Sequence, residues 1–384
     1  MASLWTELQS LYSRSQRRSK RRGLARLIET CEERVLLSGA PLNNVVDSPI
    51  APPAINGFEQ SAMGDFDGDG EEDDFFAWNG ASGANRFVLR GANNQFFFTT
   101  NAIAPGAING RDFVHVVAGV YDGNGTTDLF FWNPTSGRNR LAHINTTANV
   151  VSATVETEVV PTGAINGNDF QQITTGEYND GGANEVFFWN PTNGRNRFAV
   201  FDVVTAGQDT DLDRIETDFI DPRGINGNEF RLVRAGNFSP EDPQAAFDND
   251  ELVFVNLTTG DVRVFEVETV PGPSGPLVKK TPFDDAVNPA AFNGDAFQHV
   301  VVGDYNNDGF DDVFLWNQFT GQNRIGFADP NADTPTLNVD SDCVPPGAVN
   351  GNSYSSVINV ENTTAADSLF FVSLNTGLNR LVAA

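Results

Sequence analysis

The chain has 384 residues, enough for one large all-β domain, and its 31 Phe and 36 Gly against only 2 Met favour many short strands and turns over helices. Its net charge of −27 is unevenly spread: residues 1–40 carry 8 basic and 4 acidic side chains, whereas the remainder carries 16 against 47, a body at −31 that repels phosphate and argues against nucleic acid as a partner. No run approaches the roughly 18 apolar residues of a membrane helix, and two cysteines, Cys31 and Cys343, define no disulfide framework.

Residues 1–40 read as a basic leader, flexible or partly helical, without the continuous apolar stretch of an ordinary secretory signal. Its end, CEERVLLSGA from Cys31 to Ala40, resembles the LEPR-XLL leaders of planctomycete proteins: Glu32, Arg34, Leu36, Leu37 and Ser38 fit, and Cys31 stands where Leu is usual. That resemblance implies a secreted or cell-surface protein.

Residues 41–384 are repetitive. One phrase returns six times, as AINGF at Ala54, AINGRDF at Ala107, AINGNDF at Ala164, GINGNEF at Gly224, AFNGDAF at Ala291 and AVNGNSY at Ala348. Its asparagines, Asn56, Asn109, Asn166, Asn226, Asn293 and Asn350, lie 53 to 67 residues apart, the size of a propeller blade. After each phrase come three apolar runs, the last two joined by a turn such as PTSGRNR whose Gly permits a tight hairpin, and then a variable fourth run. Four antiparallel strands repeated six times predict an all-β propeller of six four-stranded blades. The last unit stops after its third run, NRLVAA, while NNVVDSPIAPP precedes the first phrase. An N-terminal strand is therefore expected to complete the last blade and leave no open edge. Trp78, Trp132, Trp189 and Trp316 recur inside the second runs, where packing between blades is favoured over a role as sugar platforms. Arg86, Arg140, Arg197, Arg324 and Arg380 recur after the turns, and repetition points to structural roles, bonding turn carbonyls or pairing with neighbouring-blade carboxylates, ahead of binding acidic ligands.

The loop between the first two runs of the first unit, GDFDGDGEEDDFF, fits D-x-D-x-D-G-x-x-D. Asp65, Asp67, Asp69 and Asp73 supply carboxylates, Gly70 the sharp turn and Glu71 a backbone carbonyl, a set of hard oxygens suited to Ca2+. It is not an EF-hand, because the position that would need a bidentate Glu is Phe76. The fifth unit repeats the loop as GDYNNDGFDD, with Asp304, Asn306, Asp308 and Asp312 and the carbonyl of Phe310. The second unit keeps Asp122, Asn124 and Asp128, with Thr126 at the carbonyl position, but Val120 replaces the first carboxylate, which leaves a weaker third site. The third loop offers Glu177, Asn179 and Glu185, the fourth is interrupted by SPEDPQAAFDND, and the sixth, VENTTAADS, lacks the pattern.

GDFDGDGEEDDFF and GDYNNDGFDDVFLW together resemble the FG-GAP or VCBS repeat, the calcium-loop propeller blade of integrin α-subunits and many bacterial surface proteins. The chain departs from that family in lacking the literal Phe-Gly…Gly-Ala-Pro phrase and in counting six blades where seven are common. The resemblance implies a calcium-stabilised binding module for adhesion, carbohydrate or protein recognition, with a glycan or protein as ligand; the chain is read as a monomer. His115, His143 and His299 come without a nucleophile elbow or paired metal-ligand phrases, so no catalytic residue is assigned and an enzyme is the minority reading. Two alternatives stand beside the binding module: a polysaccharide lyase or glycoside hydrolase using carboxylates on the propeller face, and a purely structural surface protein.

Overall fold

The computed structural model describes residues 42, 44–91, 95–109, 113–166, 170–178, 183–205, 209–225, 230–238, 250–256, 259–269, 277–279, 292, 297–329, 337–341, 343–349, 353–362 and 365–383. The leader, and Asn179, Asn226, Asn293 and Asn350, lie outside the described residues.

After β1 (Asn44–Asp47) the strands follow in antiparallel groups. Blade 1 is β2 (Gln60–Gly64), β3 (Asp74–Trp78), β4 (Asn85–Gly91) and β5 (Gln95–Thr100); blade 2 is β6 (His115–Gly119), β7 (Asp128–Trp132), β8 (Asn139–Thr147) and β9 (Val150–Thr157). Blade 3 is β10 (Gln172–Gly176), β11 (Glu185–Trp189), β12 (Asn196–Thr205) and β13 (Asp209–Thr217). Blade 4 has β14 (Leu232–Gly236), β15 (Glu251–Val255) and β16 (Val262–Phe265); its third strand breaks at Glu266 and resumes as β17 (Val267–Thr269), which pairs with β18 (Leu277–Lys279). Blade 5 is β19 (His299–Gly303), β20 (Asp312–Trp316), β21 (Asn323–Ala328) and β22 (Leu337–Ser341).

Blade 6 is β23 (Ser356–Val360), β24 (Ser368–Val372) and β25 (Asn379–Ala383), and its fourth strand is β1, paired antiparallel to β25 from Asn44↔Ala383 to Asp47↔Arg380. The innermost strands β2, β6, β10, β14, β19 and β23 each touch the next, and β2 touches β23. The molecule is thus a closed six-bladed β-propeller whose last blade is sealed by the N-terminal strand.

The second strand of every blade is buried along its whole length, because a neighbour covers each of its faces. Among the described residues the buried apolar side chains fall into six clusters, one at each blade interface; that between blades 1 and 2 joins Phe76, Trp78 and Phe87 to Phe113 and Phe131. Each of the four recurrent Trp residues meets a Phe of the next blade edge-on: Trp78 with Phe131, Trp132 with Phe188, Trp189 with Phe254 and Trp316 with Phe371, at centroid separations of 5.2–5.3 Å. Close approach of the inner strands needs glycine. A Cβ on Gly64 would sit 2.5 Å from the Thr127 side chain, and one on Gly303 2.5 Å from Asn359.

Candidate metal loops

Successive connections in an up-and-down blade alternate ends, so the ring has a turn end and a loop end. The turn end carries the six-fold phrase and the hairpins between second and third strands, and it is occupied by structural bonds. In blade 2, Asn139 Nδ2 donates to Gly137 O and Val160 O at 3.1 and 2.6 Å, and its Oδ1 accepts from Val160 N at 2.9 Å. Asn85, Asn196, Asn323 and Asn379 do the same in blades 1, 3, 5 and 6, tying each hairpin to its exit segment. Arg86, Arg140, Arg263 and Arg380 each donate to the carbonyl that opens their own blade's repeat phrase, at Ala54, Ala107, Gly224 and Ala348. Their guanidinium groups stack over Phe58, Phe113, Phe230 and Tyr354. Trp78, Trp132, Trp189 and Trp316 donate through Nε1 to Ile108 O, Ile165 O, Ile225 O and Val349 O. The repeated Trp and Arg residues therefore assemble the ring.

The loop end has two framework devices that motif reading missed. First, the carboxylate opening the second strand faces the glycine closing the first, as in Gly64↔Asp74, Gly119↔Asp128 and Gly303↔Asp312. Buried there, it accepts backbone N–H groups of the loop: Asp74 from Phe66 and Asp67, Asp128 from Tyr121, Glu185 from Tyr178, Glu251 from Phe238 and Asp312 from Tyr305. Asp74, Asp128 and Asp312 also accept from the third strand, at Arg90, Ile144 and Ala328.

Second, neighbouring blades clasp reciprocally. The residue just before the second strand gives its N–H to the carbonyl of the residue after the preceding blade's inner strand and accepts that residue's N–H on its side chain. The pairs are Thr127 with Asp65, Asn184 with Val120, Asp250 with Glu177, Asp311 with Asn237 and Asp367 with Asp304. At the closing seam the residues in those positions are Asp73 and Glu361, two like charges, and Asp73 turns instead to Arg90 at 2.9 Å.

In the first loop the oxygens of Asp65, Asp67 and Asp74 lie within 4.8 Å of one another. Asp65 accepts from Gly68, Asp69 and Gly70 N–H, Asp67 from Asp69 and Asp69 from Glu71, which winds the loop around its carboxylates. Burial pushes Asp65 up to about 6 against the lowering by the Gly70 and Gly68 amides, with Asp69 and Asp67 adding repulsion. Burial likewise pushes Asp74 up to about 8 and Asp73 to about 6, the latter despite Arg90. The convergent third carboxylate is thus Asp74, while Asp73 serves the ion pair. The loop runs ten positions from Gly64 to Asp74 but nine from Gly303 to Asp312, so counting from the first Asp falls one residue short of the strand.

The fifth loop winds the same way: Asp304 accepts from Asp308 and Gly309, Asn306 from Asp308, and Asp308 from Phe310. Burial raises Asp304 against four backbone amides that lower it. Asp312 there is the buried strand-opening carboxylate, beyond the loop's own turn.

The second loop is different. His143, on β8 and 1 % exposed, reaches into it, with Nδ1 3.5 Å from Asp122 Oδ2 and 3.4 Å from Asp128 Oδ2, both carboxylates fully buried, and Nε2 2.8 Å from Glu156 Oε1. Asn124 donates to Asp122 at 3.0 Å and accepts from Thr126. Burial opposes charge on the imidazole, but the Asp122 and Asp128 carboxylates that face Nδ1 and the Glu156 carboxylate at Nε2 raise it to about 10. The sequence gives one signal for it: four residues after the opening Asn of the third strand, the position of His143, blades 1, 3 and 5 have Leu89, Val200 and Phe327.

A mostly apolar cavity of about 310 Å³ opens at the closing seam, and Asp73 and Arg90 join Val46, Met63, Phe75 and Phe370 in its lining.

No family model and no curated protein matches the chain. Among solved structures it is similar to an exotype rhamnogalacturonan lyase (12% identity, 88% of this chain and 76% of that one, TM-score 0.43). It is similar also to an Agrocybe aegerita lectin that recognises non-reducing terminal N-acetylglucosamine (11%, 83% and 87%, TM-score 0.40). A third is a Bacillus licheniformis rhamnogalacturonan lyase (12%, 85% and 60%, TM-score 0.34). At these identities and scores the likeness assigns no function, and the propeller rests on the chain's own strand pairing.

Proposed function

We propose that this chain is a calcium-stabilised β-propeller binding module of the FG-GAP or VCBS kind, acting outside the cell or on its surface, with residues 1–40 as its sorting leader. The observation that carries the reading is the convergence of Asp65, Asp67 and Asp74 within 4.8 Å, two of them buried. Ionised carboxylates that close and that desolvated repel one another, and a hard divalent cation relieves the cost. In blade 1 the ion is held by Asp65, Asp67 and Asp69 and the Glu71 carbonyl, with Asp74 in the closing place that the motif count gives to Asp73. In blade 5 it is held by Asp304, Asn306 and Asp308 and the Phe310 carbonyl, closed by Asp312.

The ions fix loops and leave ligand recognition to the loop end, where the blades diverge in charge and length while the turn end repeats. A glycan or a protein is the ligand class. A glycan array probed with calcium-loaded and chelated protein tests this: retention of an unconsumed ligand only with calcium supports the module. Release of new unsaturated ends from an acidic polysaccharide would replace it with a lyase, and calcium-independent behaviour with no retained ligand would leave a structural protein.

A further inference from the structure

We propose that the loop end of blade 2 holds a transition metal of the zinc class on His143 Nδ1, Asp122 Oδ2 and Asp128 Oδ2, a site chemically distinct from the oxygen-only loops of blades 1 and 5. Three observations carry it. The donor atoms lie within 4.8 Å of one another on side chains that are almost wholly buried. His143 Nδ1, aimed between the carboxylates, has no hydrogen-bond partner; its separations of 3.4 and 3.5 Å exceed the usual hydrogen-bond range. They match the edge of a tetrahedron, since metal bonds of about 2.0–2.2 Å give edges of about 3.3–3.6 Å. Finally, Glu156 Oε1 stands 2.8 Å from Nε2, a contact that keeps a proton on Nε2 and turns the Nδ1 lone pair toward the carboxylates, as outer-shell carboxylates do for metal-bound histidines.

The carboxylates are themselves held for the task. Asp128 Oδ1 accepts from Ile144 N at 2.7 Å and Asp122 Oδ1 from Asn124 N at 3.0 Å, which fixes both Oδ2 atoms toward the imidazole. Val120 has removed the first carboxylate of the calcium pattern, and an imidazole nitrogen suits zinc-like ions and not calcium or magnesium. Blade 2 has therefore exchanged a hard-ion loop for a mixed nitrogen and oxygen one. The rival occupant is a proton on Nδ1, which the metal would displace, so binding releases one proton per ion taken up from the imidazolium form.

The test uses the full chain, stripped of metal and returned to excess calcium so that the oxygen loops are filled, then titrated with Co2+ as a spectroscopic probe. The expected result is one equivalent bound with proton release and the visible bands of tetrahedral cobalt, and displacement of that cobalt by Zn2+ with no further proton release. His143→Gln and Asp122→Asn are expected to abolish the bands, and Glu156→Gln to weaken binding about 10- to 100-fold. Absence of stoichiometric Co2+ or Zn2+ binding by the wild type overturns the proposal, and so does unchanged binding in a folded His143→Gln or Asp122→Asn protein. The wild-type titration decides the matter even if a variant fails to fold.

Discussion

The two ends of the ring follow opposite rules. At the turn end the same Asn, Arg and Trp bonds recur from blade to blade. At the loop end, blade 1 gathers carboxylates, blade 2 inserts His143, and the closing seam replaces a reciprocal clasp with an Asp73–Arg90 pair. Uniform, buried and satisfied bonds mark scaffold; divergent charge on the same scaffold is where candidate ion and ligand sites are to be sought.

The comparison breaks most sharply at the turn end. Trp132→Ala removes a fully buried ring that joins blades 2 and 3 and its bond to Ile165 O, and it is expected to cost about 3–5 kcal/mol in chemical denaturation. Asn139→Ala strands the amide and carbonyl of Val160 and should cost about 2 kcal/mol by the same measurement. If either variant melts like wild type, the turn end is not the scaffold.

At the loop end the effects depend on solution conditions. In calcium-free protein Asp65 and Asp73 stand at about 6 and Asp74 at about 8, above the usual carboxyl value near 4. A carboxyl raised on folding gives its full stability below the unfolded value and loses it as pH rises through the folded one. The calcium-free melting temperature is therefore expected to fall between about pH 4 and pH 8, and calcium, which binds the ionised forms, to flatten that slope. A calcium-free profile that rises over this window would contradict the buried placement of the loop carboxylates. The smallest change is expected from Arg138→Ala, since the Arg138–Glu158 pair at 3.7 Å is exposed on both sides; its cost, about 0.5 kcal/mol or less, separates surface charge from loop charge.

Much of the fold was legible because a propeller writes its repeat into the chain. The six-fold phrase, the hairpin glycines and the complementary incomplete ends lead to six blades and to β1 closing on β25. Short helical segments such as Pro105–Ala107 and Pro346–Ala348 lead into the repeat phrases, a detail that the spacing of the phrases does not write. The site was less legible, for three physical reasons. Strand onset cannot be counted from a loop motif, so Asp74 hides behind Asp73. The clasp needs only a short acceptor, so Thr127, Asn184 and Asp311 share no letter. His143 belongs to a different strand from its loop and enters it only through pairing of β7 with β8.

The central claim is that the loops of blades 1 and 5 are closed by calcium, and a melting scan at neutral pH with calcium and with chelator, run on wild type, Asp65→Ala and Asp304→Ala, tests it most directly. Calcium is predicted to raise the wild-type melting temperature, with part of that rise lost in each variant. A melting temperature that neither chelation nor either substitution alters would contradict it.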